Sequence, residues 1–136
     1  MALNKAYNQY KRNSIYTSTP EELTLMLYNG LIKFIMQGRQ AIGDNDIEKA
    51  NNSIIRAQDI VLYLQLALDE KYEVSRGLMM IYDYMNRRLI EANVTKDDEI
   101  LEEVLGYAKE LRDTWAQAMK IAKTEQNKLE QVEAHG

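Results

Sequence analysis

The chain has 136 residues, 46% of them hydrophobic and 28% charged, enough apolar material for one domain with a single core. It contains no cysteine, which excludes disulfides, thiolate metal sites and cysteine nucleophiles. A formal net charge of -4 argues against binding to a phosphate backbone, and the basic residues of KRN and NRR are too few to form a stripe, so nucleic acid is not expected as a partner.

Six glycines, one proline and nine tyrosines against one phenylalanine point to an all-helical domain, because strand-rich domains of this size carry more turn residues. The opening MALNKAYNQYKR lacks an apolar stretch of signal-peptide length. No window approaches the roughly 20 apolar residues of a membrane span. A soluble, cytosolic protein without membrane insertion is expected.

Residues 1–18 read as an N-terminal arm, polar in most positions but carrying Tyr7, Tyr10, Ile15 and Tyr16. Such an arm has enough apolar area to lie over a groove and enough polarity to be lifted off again. A fixed arm that completes the core fits the same residues. The first helix starts at TPEE: Thr19 serves as N-cap, Pro20 suits the first helical position, and Glu22 completes a capping box. Leu23, Met26, Leu27, Leu31, Phe34, Ile35 and Ile42 recur at intervals of three and four, and Gly43-Asp44-Asn45 supplies a stop.

From Asp46 a second segment carries Ile47, Ala50, Ile54, Ala57, Val61, Leu64 and Leu68 as an unbroken seam. After a break near Asp69 to Glu73, a third carries Val74, Leu78, Ile81, Met85, Leu89 and Ala92. Thr95 or Asp97 then caps a fourth, with Leu101, Val104, Ala108, Leu111, Trp115, Ala118 and Ala122. Connections of a few residues make successive helices antiparallel, so residues 19–123 are expected to form an up-down four-helix bundle. Residues 124–136 offer only Leu129 and Val132 as bulky apolar side chains and are expected to fray or be disordered.

Metal-bearing bundles use Glu-x-x-His pairs on facing helices, yet the one histidine is His135, in the tail. No Gly-rich phosphate cradle is present, so neither cofactor nor metal is expected. The pairs Glu21-Glu22 and Glu102-Glu103 read as helix N-terminal charge, and an enzyme is not expected.

At about 100° per residue, Ile55, Leu62 and Leu66 cluster within roughly 40° and lie well over 90° from the second segment's seam. Met79 is displaced by about 100° from the main face of the third segment, with Tyr82 between the two sets. A helix packed on two neighbours would carry so wide a stripe. An outer groove that receives a partner helix would carry it too, with the flexible methionine adapting to its ligand.

The tyrosine-bearing arm, TSTPEELTLMLYNGLIKFI, AQDIVLYLQLALD, IYDYMNRRLIEAN and LRDTW together resemble the flagellar secretion chaperones. The chain departs from that pattern at Asn29, where aspartate is usual, and at KYEV, where the link is usually glycine-rich. The resemblance implies a non-catalytic bundle that holds the disordered C-terminal segment of flagellin, prevents premature polymerisation and delivers its client to the cytosolic domain of the flagellar export gate. It also implies that the arm carrying Tyr7, Tyr10, Ile15 and Tyr16 changes position on binding. Periodicity adds Ile55, Leu62, Leu66, Met79 and Tyr82 as groove candidates. A self-associating bundle, a weak homodimer whose stripe pairs with its own copy, is a second class of reading, and an enzyme of unknown type is a third.

Overall fold

The computed structural model describes residues 18–135. The arm candidates Tyr7, Tyr10, Ile15 and Tyr16 therefore lie outside the described residues. Among the described residues four helices follow one another: α1 (Pro20–Gly43), α2 (Ile47–Leu66), α3 (Val74–Thr95) and α4 (Asp98–His135). They form an antiparallel up-down bundle in which each helix packs on its neighbours in sequence and α1 closes the ring against α4.

Each boundary has a local cause. Thr19 Oγ1 accepts from the Glu22 N–H at 3.2 Å while the Glu22 carboxylate reaches back to the Thr19 N–H, closing the capping box ahead of Pro20. Asn45 adopts a left-handed φ of 58°, which lets Asp46 cap α2 by accepting from the Lys49 N–H at 3.1 Å. The α3–α4 turn uses Lys96 at φ 55°. Of the two cap candidates there, Asp97 accepts from the Glu99 N–H at 2.9 Å, whereas Thr95 stays in the last turn of α3 and donates to the Glu91 carbonyl.

The core is built from Leu31 and Ile35 of α1, the seam Ala50, Ile54, Ala57, Val61 and Leu64 of α2, Met85, Leu89 and Ala92 of α3, and Leu101, Val104 and Ala108 of α4. Gly38 lets α1 come close: a Cβ there would stand 3.2 Å from Ile54 Cγ1 and 3.5 Å from Leu101 Cδ1. Polar staples tie the outside together. Arg39 grips Asp98 with two hydrogen bonds of 2.7 and 3.2 Å, linking α1 to α4. Arg88 and Tyr84 of α3 share the Glu103 carboxylate of α4, so Arg88 of the NRR stretch staples the two helices together.

Two expectations differ from the structure. The backbone of α4 is helical through residues 124–135, where a frayed tail was expected; this stretch contains neither proline nor glycine, and six of its residues are glutamate, glutamine or lysine. The seams also depart from their periodicity: Ile47, Val74, Ala118 and Ala122, near helix ends, and Ile81, within α3 where Tyr82 takes the inward position instead, are exposed.

Candidate functional site

The second stripe of α2 faces outward. Ile55, Leu62 and Leu66 are 41%, 49% and 78% exposed although the same helix buries Ala50, Ile54, Ala57 and Val61 completely. Tyr63 is exposed beside them. Met79 is half-buried at the α2–α3 seam, its sulfur 3.7 Å from Gln65 Nε2, and Ile90 further along α3 is exposed.

The seam between these helices is bridged by amides. Gln65 Nε2 donates to Asp83 Oδ1 at 2.5 Å near one end, and Asn93 Nδ2 donates to Asn51 Oδ1 at 2.9 Å near the other. With that antiparallel register, Ile55 lies level with Ile90, and Leu62 lies level with Asp83. Between the bridges, Asn86 Oδ1 is buried without a hydrogen-bond partner. The resulting surface is an apolar face on α2 bordered by a polar seam, suited to the apolar side of a helix.

Tyr82 does not belong to this face. It is only 2% exposed, and its hydroxyl meets that of Tyr28 at 2.5 Å in the core. Its position on α3 lies towards the bundle axis, and the hydroxyl could enter the core because Tyr28 supplies a partner there. Burial pushes both phenols above the ordinary tyrosine range; their mutual hydrogen bond raises Tyr82 further and partly offsets the rise at Tyr28.

That pair forms the floor of a crevice of about 190 Å³ at the end of the bundle, walled by Leu64, Leu68, Tyr72, Val74, Leu78 and Trp115. Sequence periodicity missed this feature because its residues come from all four helices and the α2–α3 loop. Trp115 fixes one wall by donating its indole N–H to the Glu21 carbonyl at 3.0 Å. The crevice opens at the end where residues 1–17 join the first turn of α1.

Among the described residues there is no group of three acidic or histidine side chains placed to hold a metal ion. Nor is any helix among them long and apolar enough to cross a membrane.

Comparison with known proteins decides the family. The model of the flagellar protein FliS family matches residues 3–122. The chain belongs to the FliS family. The flagellar secretion chaperone FliS of Bacillus subtilis (strain 168) is 46% identical over 120 residues, covering 88% of this chain and 90% of the relative. The FliS of Salmonella typhimurium is 29% identical over 117 residues, covering 83% and 87%. A crystal structure of a bacterial flagellar chaperone superposes with a TM-score of 0.71 at 19% identity, covering 85% of this chain and 96% of that one, so the bundle is shared in fold. Within this FliS framework, the outward stripe of α2 and the end crevice are two of the apolar surfaces left over once the core is packed.

Proposed function

We propose that this chain is a non-catalytic cytosolic export chaperone that holds the disordered C-terminal segment of flagellin, keeps it from polymerising prematurely and presents it to the cytosolic domain of the flagellar export gate. The observation that carries this reading is the exposed apolar stripe Ile55, Leu62 and Leu66 on a bundle whose relatives are named flagellar secretion chaperones. Met79 borders the stripe, and the client segment lies along it as a helix. The arm carrying Tyr7, Tyr10, Ile15 and Tyr16 serves as a displaceable cover over apolar surface at the crevice end of the bundle, where it joins α1.

Ordering a disordered segment costs about 2–5 kcal/mol, while each fully buried leucine-sized side chain returns about 1.5–3 kcal/mol. A few anchors therefore suffice. Contacts spread along a helix can be released one after another, so transfer to the export gate needs no nucleotide on the chaperone. Calorimetric titration with full-length flagellin and with flagellin lacking its C-terminal segment tests the reading. Tight one-to-one binding that disappears on truncation is expected; equal binding of both forms would overturn it.

A further inference from the structure

The seam that joins α3 to α2 is polar along its length. Asn51, Gln58 and Gln65 stand seven positions apart on α2 and share one line along the helix, and Asn93, Asn86 and Met79 do the same on α3. Two of the three rungs are made. Asn93 Nδ2 donates to Asn51 Oδ1 at one end, and Gln65 Nε2 donates to Asp83 Oδ1 beside the Met79 sulfur at the other. The middle rung is open: Asn86 Oδ1 is buried, and among the described residues no bond from the Gln58 amide or any other donor reaches it. A buried acceptor left in this way weakens the docked state.

The contact between α1 and α2 is of another kind. At Gly30 and Gly38 a Cβ would stand 3.3 Å from Ile60 and 3.2 Å from Ile54, so these helices meet through close apolar packing. Water readily takes over the bonds of amides that separate, but it cannot replace such packing. The other ties of α3 are light. Its bonds to Glu103 through Tyr84 and Arg88 lie at the surface, where ion pairs contribute little. Its start has no side-chain cap, unlike the starts of α1 and α2 at Thr19 and Asp46. Gly77, with nothing within 4 Å of the position a Cβ would take, lowers helix stability nearby. Residues 67–73 ahead of α3 form the longest link between helices, whereas residues 96–97 tie its other end closely to α4. What keeps α3 docked is the burial of Tyr82, Met85, Leu89 and Ala92.

We propose that α3 is the movable wall of the bundle: it separates from α2 along the amide seam as one unit, turning about its short link to α4, while α1, α2 and residues 98–115 stay packed. The opening breaks the Tyr28–Tyr82 bond and uncovers the inner face of α2, which then joins the outward stripe of Ile55 and Leu62 across the freed amides. The motion is a property of the bundle and does not depend on the flagellin reading.

Native-state hydrogen exchange of the full-length chain, followed amide by amide at low urea, tests it. Amides of residues 78–92 are expected to exchange at least about tenfold faster than the slowest amides of α1 and α2, and to share one urea dependence smaller than that of global unfolding. Amides in α3 as protected as those of α1 and α2 would overturn the inference. Gly77→Ala is expected to raise protection about two- to fivefold across the whole of residues 78–92. No rise, or a rise confined to the first two turns of α3, would contradict opening as a unit. Replacing the middle rung by an apolar pair, Gln58→Leu with Asn86→Leu, is expected to slow exchange in α3 at least about fivefold, because the orphaned acceptor is gone. Unchanged or faster exchange in that double variant would remove the seam as the cause, and the proposal with it.

Discussion

The Tyr28–Tyr82 pair puts two hydroxyls into an apolar core, and each is satisfied by the other. Removing one leaves its partner buried without a bond, a loss of about 1–3 kcal/mol, whereas removing both can be nearly neutral. Tyr28→Phe and Tyr82→Phe are therefore each expected to lower stability by that amount in urea unfolding, and the double variant to lie closer to the parent than the sum predicts. Both phenols titrate above their ordinary value in the folded chain, with burial as the leading cause. The folded state thus holds these protons more tightly than the unfolded state does. Their contribution is complete below about pH 10, the unfolded tyrosine value, and is lost progressively as pH rises above it. Unfolding measured between neutral pH and pH 11 should show that decline, and it should be smaller in the double phenylalanine variant.

At the level of the helices, glycine marks where elements touch and where they do not. Gly38 is buried where α1 approaches α2 and α4, so Gly38→Val should overpack the crossing and cost about 1–3 kcal/mol. Gly106 has nothing within 4 Å of the position a Cβ would take and lies inside α4, so Gly106→Ala should stabilise by about 0.4–1 kcal/mol. Thermal melting of the two variants should shift in opposite directions. Much of this architecture was legible in the residues. The capping box at Thr19, the stop at Asn45 and the α2 seam from Ala50 to Leu64 follow from patterns confined to one helix. Tyr82 shares the inward face of Met85 and Leu89 by its spacing, but the bond that satisfies its hydroxyl there was not legible, because the partner is 54 positions away in the chain. Nor was the end crevice, whose walls meet only after all four helices have packed. The length of α4 escaped for another reason: the scarcity of bulky apolar residues after 123 argues against packing, whereas helical backbone also forms from propensity alone.

For the whole molecule, the central fact is that one helix carries two apolar faces and the bundle covers only one. The seam of α2 accounts for folding; Ile55, Leu62 and Leu66 do not contribute to that core and remain accessible. Stability and client binding should therefore separate at these positions. The most direct measurement is calorimetric titration of flagellin with the parent chain and with the Leu62→Asp, Leu66→Asp double variant, alongside far-UV circular dichroism of both. The account predicts unchanged helicity and at least about a tenfold loss of affinity, equivalent to 1.4 kcal/mol. Undiminished affinity with helicity intact would contradict it, and would place the flagellin site elsewhere on the bundle.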